Sequence, residues 1–180
     1  IPHIISVYGT VMPVKEICTF ARERGIFTVI DGAQSIGQID VDLKDLNCDA
    51  YYSSLHKWFL SPPGSGLLYL DKSISEDIWP TLSSYNWDNK DDKGFSLQQS
   101  GTGNPSLRVG LEASIDFFNM IGKERWLGRV KELGKYLRDG LKKLPNVEIV
   151  SSHNEELCAG LTTYKVEGLT GPALQKILWD

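Results

Sequence analysis

The sequence predicts an α/β protein: a mostly parallel sheet covered by helices, leading into a smaller α+β unit. Two observations predict the sheet. Short apolar runs such as 27–30 and 49–53 have strand character, and a helical pattern alternates with them. A third observation predicts the second unit, because a long helical pattern is followed by two strands and a last helix. We therefore expect two domains, residues 1–125 and residues 126–180.

The first elements are predicted to be a strand, a helix and a strand. Ile4–Val7 is a brief apolar run, and Pro13 suits the first position of a helix that ends near Gly25. The predicted buried stripe of this helix is Val14, Ile17, Cys18 and Ala21. Phe27–Ile30 is almost entirely apolar, which predicts a strand covered on both faces.

The next two strands are predicted to form an antiparallel edge. After a short helical turn at Asp42–Leu46, Asp49–Ser53 and Leu67–Leu70 read as strands, joined by a Pro/Gly turn at Pro62–Gly66. This connection is too short for the crossover that parallel strands need. The polar, aromatic stretch 73–103 has no period, and a loop of this length usually carries function or meets a partner.

The second half is predicted to be mainly helical. Helices are expected over Pro105–Met120 and Lys123–Leu144, strands over Val147–Val150 and Leu161–Val166, and a last helix from Thr170. The predicted apolar stripe of the long helix is Leu127, Val130, Leu133, Leu137, Leu141 and Leu144. The chain starts inside a predicted strand and stops inside a predicted helix, so we expect it to be part of a longer protein.

Composition excludes several classes of protein. The 180 residues are 41% hydrophobic and 23% charged, which is typical of a globular chain. A net charge of -4, without a Lys/Arg block, argues against a nucleic-acid surface. Three scattered cysteines fit reduced thiols in a cytoplasmic protein. No apolar run approaches the roughly 20 residues that span a membrane.

Several familiar sites are also absent from the sequence. There is no GxxxxGK[ST] loop and no GxSxG elbow. Gly101–Gly103 follows a polar loop rather than a strand, which argues against a dinucleotide fingerprint. His3, His56 and His153 lack metal-ligand spacing, so no metal site is predicted.

Polar side chains do follow two of the predicted strands. Asp31 and Gln34 come after one strand, and Ser54, His56 and Lys57 come after the next. Open α/β sheets bind ligands at the carboxyl ends of their strands. A lysine for a Schiff base, a carboxylate for the pyridine nitrogen and small donors for the phosphate are what pyridoxal phosphate needs. Three of these residues also have an ordinary structural interpretation. Asp31 is compatible with a turn cap, Gln34 with a solvated loop residue, and His56 with a hydrogen-bonded histidine at the rim of the core.

The segments Asp31–Gln34 and Ser54–Lys57 resemble the cofactor motifs of class V aminotransferase-like enzymes, of pyridoxal-phosphate fold type I. That family includes cysteine desulfurases, selenocysteine lyases, isopenicillin N epimerase-like enzymes and related C–S lyases. The resemblance covers nearly all 180 residues. His56–Gly66 and Gly101–Ser106 are more similar to the epimerase-like branch, and Ser6 stands where many desulfurases carry Asn.

The resemblance implies a role for each site residue. Lys57 would be the Schiff-base lysine, Asp31 the partner of the pyridine nitrogen, and Gln34 the donor to the phenolic oxygen. Ser54 and His56 would hold the phosphate. Thr102 would reach the phosphate of the neighbouring subunit's cofactor, which implies a homodimer with composite active sites and the aromatic loop at its interface.

The resemblance further implies an amino-acid substrate and removal of its Cα proton, followed by epimerisation, C–S lyase or transamination chemistry. A cysteine desulfurase or selenocysteine lyase is the alternative enzyme. The alternative that is not an enzyme is an interaction domain that keeps the fold without catalytic activity. The substrate is not predicted, because the resemblance places the groups that choose it, including the carboxylate-binding arginine, outside these residues.

Overall fold

A three-stranded central sheet, two small two-stranded sheets and five helices make up residues 1–99 and 101–180, which the computed structural model describes. The strands are β1 (Ile4–Ile5), β2 (Thr10–Val11), β3 (Val29–Asp31), β4 (Ala50–Ser54), β5 (Gly66–Leu70), β6 (Val147–Ile149) and β7 (Tyr164–Val166). The helices are α1 (Val14–Arg22), α2 (Lys93–Gln98), α3 (Pro105–Ile121), α4 (Lys123–Leu141) and α5 (Gly171–Trp179).

The central sheet has the predicted strand directions. β3 and β4 are parallel, with Asp31 opposite Tyr52, and β4 pairs with β5 in the antiparallel direction. The N-terminal segment adds a further parallel partner at Pro2, which pairs with Asp31. The carboxyl ends of β3 and β4 therefore lie side by side.

The strand predicted at Ile4–Val7 is wrong beyond Ile5. Residues 1–3 run beside β3, where His3 N donates to Asp31 O at 2.8 Å. The chain then forms a tight hairpin between β1 and β2. Gly9 makes this turn possible because its φ of 69° lies in the left-handed region. Val7, at the tip of the hairpin, is exposed.

One face of the central sheet carries the core. Val14 and Cys18 of α1 pack against Ile30 and Tyr51, together with Leu46 and Cys48. The opposite face presents Val29, Tyr52 and Leu68, all of which are exposed. The prediction that β3 is covered on both faces is thus wrong within this chain. The physical reason is that α1 and the 42–48 segment both pack on the Ile30 face.

The helix boundaries agree with the pattern to within a few residues. Pro13 is the residue before α1 rather than its first residue, and the α4 helix ends at Leu141, three residues before the predicted Leu144. Asn104 caps α3 by accepting a hydrogen bond from Ser106 N. In the aromatic stretch, residues 73–99 and 101–103 form turns, bends and irregular backbone, apart from α2.

The buried face of α4 differs from its predicted leucine stripe. Leu133 and Leu137 are exposed, whereas Trp126, Gly134 and Arg138 are buried. Arg138 is only 1% exposed. Its guanidinium binds Glu155 at 2.7 Å and also donates to Ala159 O at 3.1 Å. This ion pair, formed by a buried arginine and a partly exposed glutamate, attaches the segment after β6 to α4.

The C-terminal elements pack back onto the first part of the chain. β6 and β7 form an antiparallel hairpin, and α5 follows with Thr170 as its cap. Ser151 Oγ donates to Tyr8 O at 2.7 Å, and Gly160 N donates to Gln38 Oε1 at 2.8 Å. The predicted boundary between residues 125 and 126 falls inside α4, and the division into two domains stays a prediction.

The described residues contain neither a membrane-spanning helix nor a cluster of metal-ligating side chains. No helix within residues 1–99 and 101–180 has both the length and the hydrophobicity to cross a bilayer. The same residues contain no cluster of three or more His, Cys, Asp or Glu side chains suited to a metal ion. All three cysteines are buried and unpaired.

Candidate active site

A cleft of about 160 Å³ lies at the carboxyl ends of β3 and β4. It brings together three of the predicted site residues, Asp31, Gln34 and Lys57. The complete lining is Pro2, Ile4, Ile5, Ser6, Asp31, Ala33, Gln34 and Lys57. Asp31 ends β3, Gln34 lies in the turn that follows, and Lys57 lies in the turn after β4. Parallel pairing of neighbouring strands thus places a carboxylate, an amide and an amine at one opening.

The backbone of Asp31 is held on both sides. Its N–H donates to Ile1 O at 2.9 Å, and its carbonyl accepts from His3 N at 2.8 Å. The side chain turns back on the chain, and Oδ1 accepts a hydrogen bond from Ala33 N at 2.9 Å. One carboxylate oxygen is therefore engaged locally, and the position of the whole group is set by the sheet.

Two neighbouring residues of β4 hold the Asp31–Gly32 corner in place. Gly32 N donates to Tyr52 O at 2.7 Å, and Ser53 Oγ donates to Gly32 O at 2.8 Å. Tyr51 Oη and His3 Nδ1 share a hydrogen bond of 3.1 Å. Burial lowers the pKa of His3 to about 4 and raises the pKa of the Tyr51 hydroxyl. The lowered pKa keeps the His3 imidazole neutral near pH 7.

Replacing Gly32 by alanine is expected to destabilise the protein by about 1–3 kcal/mol, because small cores do not absorb an added methyl group easily. A Cβ at this position would lie 2.1 Å from the Tyr51 ring. The free energy of unfolding, measured by urea titration of the full-length protein, checks the prediction. Gly128→Ala is the matched control, since a Cβ there on α4 meets nothing within 4 Å. An equal effect of the two substitutions would contradict the close approach of Gly32 to Tyr51.

Gln34 is held at two points. Its side-chain Oε1 accepts a hydrogen bond from Trp58 Nε1 at 2.9 Å. Its main-chain carbonyl accepts one from Gln38 Nε2 at 2.5 Å. Gln38 is 2% exposed, so the donor of the second hydrogen bond is a buried residue. The residue predicted to contact a cofactor is therefore oriented by two neighbours.

Lys57 is exposed and lies in a turn that links β4 to the segment before β5. The backbone of the turn is fixed by Leu60 N, which donates to Lys57 O at 3.3 Å, and by Leu55 N, which donates to Ser65 O at 3.2 Å. Within the part of the chain that the structure describes, no carboxylate forms a salt bridge with Lys57. Its amine is thus available to a ligand in the cleft.

The other three predicted site residues lie outside the lining of this cleft. Ser54 is the last residue of β4 and pairs with Gly66. His56 is exposed in the same turn as Lys57, and Thr102 is exposed shortly before α3. The phosphate-binding roles of Ser54, His56 and Thr102 stay predictions.

Sequence reasoning missed two residues that contact the site. Trp58 and Gln38 both hold Gln34, and neither was predicted to do so. A weak signal existed for Gln38, which lies four residues after Gln34 and so can reach its carbonyl in a turn. Trp58 follows Lys57 directly, but nothing in the local pattern shows which group its indole meets.

Comparisons with known proteins show the family of this chain. The family model described as Aminotransferase class-V matches residues 1–180. Isopenicillin N epimerase from Streptomyces clavuligerus is 32% identical over 193 aligned residues, which cover 99% of this chain and 48% of that protein. The chain spans about half the length of the curated relatives it matches.

Solved structures show the same fold. The apo structure of a cysteine desulfurase from Thermococcus onnurineus NA1 superposes with a TM-score of 0.84 at 28% identity, covering 99% of this chain and 46% of that one. A C-DES lysine-to-alanine variant, with glycine covalently linked to its pyridoxal-phosphate cofactor, superposes with a TM-score of 0.88 at 26% identity. That match covers 99% of this chain and 49% of the other.

The fold and the cleft thus define an α/β chain of the pyridoxal-phosphate fold type I, which confirms the predicted fold class. The chain belongs to the class V aminotransferase family, as the resemblance of its two motifs predicted.

Proposed function

We propose that the protein is a pyridoxal-phosphate-dependent enzyme that acts on an amino acid and that Lys57 is the residue that binds the cofactor covalently. The observation that supports this most is the shared cleft of Asp31, Gln34 and Lys57. Family membership supports it independently. The neighbouring structure with a covalently linked cofactor supports the choice of cofactor.

The residues present fit this cofactor by the chemistry of their side chains. Asp31 supplies an anion for a protonated pyridine nitrogen, Gln34 a neutral amide and Lys57 an amine that condenses with an aldehyde. When bound, pyridoxal phosphate supplies an electron sink for a carbanion formed at the substrate Cα. The protein supplies binding, orientation and charge.

The two ionisable residues, Asp31 and Lys57, would have different roles. Asp31, with one oxygen engaged by Ala33 N, would supply the negative charge that holds a proton on the ring nitrogen. Lys57 is exposed and has no salt-bridge partner in residues 1–99 and 101–180. It would hold the cofactor before substrate arrives and would move the Cα proton afterwards. Ser54 and His56 are proposed to bind the phosphate.

The proposed reaction is removal of the Cα proton of an amino acid, followed by epimerisation, C–S lyase or transamination chemistry. Similarity to isopenicillin N epimerase over 99% of the chain supports the epimerase-like branch. Cysteine desulfurase or selenocysteine lyase activity is the second candidate, supported by the desulfurase relatives and structures. We further propose a cytoplasmic homodimer in which Thr102 reaches the neighbouring subunit's site.

Borohydride reduction of the cofactor-loaded full-length protein, followed by peptide mapping, tests the proposal. We expect the pyridoxyl label on the peptide that contains Lys57. Lys57→Ala should abolish labelling of that peptide, whereas the matched control Lys72→Ala should leave it intact. Lys72 is an exposed lysine just after β5 and lies outside the cleft. A label on another lysine would show the assignment to be wrong. Absence of any label would favour the non-catalytic interaction domain.

A further inference from the structure

The Gln34 amide has two possible orientations, and Trp58 selects one of them. The indole N–H of Trp58 donates to Gln34 Oε1 at 2.9 Å. An indole nitrogen can only donate, so the amide atom facing it must be the oxygen. The amide oxygen is therefore directed to Trp58, and the NH₂ group is left for another partner.

The NH₂ group of Gln34 is free to meet a ligand. Within residues 1–99 and 101–180, no hydrogen bond engages Gln34 Nε2, whereas both oxygens of the residue accept one. Gln34 lines the cleft together with Asp31 and Lys57. A donor without a protein partner, beside an amine and a carboxylate, suits an oxygen acceptor on a bound molecule.

The C-terminal segment holds this arrangement in place. Gly160 N donates to Gln38 Oε1 at 2.8 Å, and Gln38 Nε2 donates to Gln34 O. A Cβ at Gly160 would lie 3.0 Å from Trp58 Cζ3 and 3.0 Å from Gln38 Oε1. Gly160 thus packs against both residues that hold Gln34, and it lies 122 positions after Gln38 in the sequence.

We propose that Trp58 is a positioning residue: its indole N–H orients the Gln34 amide so that Nε2 donates into the cleft, to the phenolic oxygen of the cofactor. This inference rests on the proposed function, since it takes pyridoxal phosphate as the ligand. With the amide reversed, Gln34 Oε1 and the phenolic oxygen of the cofactor, both acceptors, would face each other. Loss of the indole N–H makes the reversed orientation accessible and weakens cofactor binding.

A double-mutant cycle tests the inference in the full-length protein. Trp58→Phe keeps an aromatic ring beside Gly160 but lacks the N–H, and Gln34→Leu removes the amide. We expect each single substitution to raise the Kd for pyridoxal phosphate about three- to tenfold, the usual effect of one hydrogen bond. In the Gln34→Leu background, Trp58→Phe should change the Kd no further, because the indole acts only through the amide.

Trp126→Phe is the matched control. Its indole N–H donates to Gly37 O at 2.9 Å, so the substitution removes an equivalent hydrogen bond from the same loop without touching the Gln34 side chain. We expect its cofactor affinity to stay within twofold of the wild type. The proposal would be overturned if Trp58→Phe raised the Kd for pyridoxal phosphate equally in the wild-type and Gln34→Leu backgrounds. It would also be overturned if Trp58→Phe left the Kd unchanged in the wild-type background.

A second readout needs no cofactor. The indole ¹⁵N–¹H resonance of Trp58, assigned as the one lost in Trp58→Phe, should move in the Gln34→Leu apoprotein, and the Trp126 indole resonance should not. An unmoved Trp58 resonance would disprove the contact and the inference with it. Failure of the proposed function is distinguishable, because borohydride would then fail to label Lys57 even though the indole resonance responds to Gln34→Leu.

Discussion

Replacing Asp31 by asparagine is expected to lower turnover by on the order of 10²-fold or more, the effect typical of losing one electrostatic contact to a reacting group. Asparagine keeps an oxygen that can accept from Ala33 N, as Asp31 Oδ1 does at 2.9 Å. The substitution therefore removes the charge and leaves the turn. In its proposed role Asp31 would hold the ring nitrogen protonated, and a neutral asparagine would not. The measurement is exchange of the α-proton in D₂O across a panel of L-amino acids, including cysteine and alanine.

Asp71→Asn is a close control for this experiment. Asp71 follows β5, and its Oδ1 accepts from Ser73 N at 3.0 Å, the same two-residue side-chain turn that Asp31 makes with Ala33. It lies outside the cleft lining. We expect Asp71→Asn to retain turnover within a few-fold of the wild type. Turnover of Asp31→Asn close to the wild-type value would mean that its charge has no role in the reaction.

Replacing Glu155 by alanine is expected to lower the free energy of unfolding by about 2 kcal/mol, because it leaves the buried charge of Arg138 without its partner, an effect reduced by the partial exposure of Glu155. Arg138 is 1% exposed, and its Nη2 lies 2.7 Å from Glu155 Oε2. The two remaining guanidinium contacts, to Ala159 O and Thr162 Oγ1, are neutral and do not balance the charge. Urea titration of the full-length apoprotein measures the change.

Two further variants make this result specific. Glu156→Ala changes the next residue, which forms no salt bridge with any described residue, and should cost less than about 0.5 kcal/mol. Adding Arg138→Met to Glu155→Ala should recover part of the loss, because no unpaired buried charge remains. A double variant less stable than Glu155→Ala alone would contradict this account.

The ion pair also predicts a pH dependence with a definite sign. The hydrogen bond from Arg138 lowers the pKa of Glu155 from its ordinary 4.5. A lowered pKa in the folded state means that the pair stabilises fully above pH 4.5 and that this contribution is lost as the pH falls through the folded-state pKa. Below pH 4.5, the difference in stability between the wild type and Glu155→Ala should therefore narrow.

The α4 helix shows where sequence reasoning succeeds and where it fails. Its existence and its start at Lys123 follow from the helical period, which is a local property. The buried face of α4 was not predicted correctly from that period, because a stripe of leucines is buried only where another element covers it. Here Glu155 and Ala159 supply partners for Arg138, so a charged side chain is buried while Leu133 and Leu137 stay exposed.

The sequence by itself indicated that two neighbouring strands at the cleft run parallel and which residues follow them. Two apolar strands that run parallel must bring their carboxyl ends together, so Asp31, Gln34 and Lys57 could be grouped from their positions alone. Only the tertiary structure decided that Trp58 and Gln38 hold Gln34, and that Gly160 packs on both. Contacts that span 122 positions depend on how separate elements pack, and local periodicity carries no information about that packing.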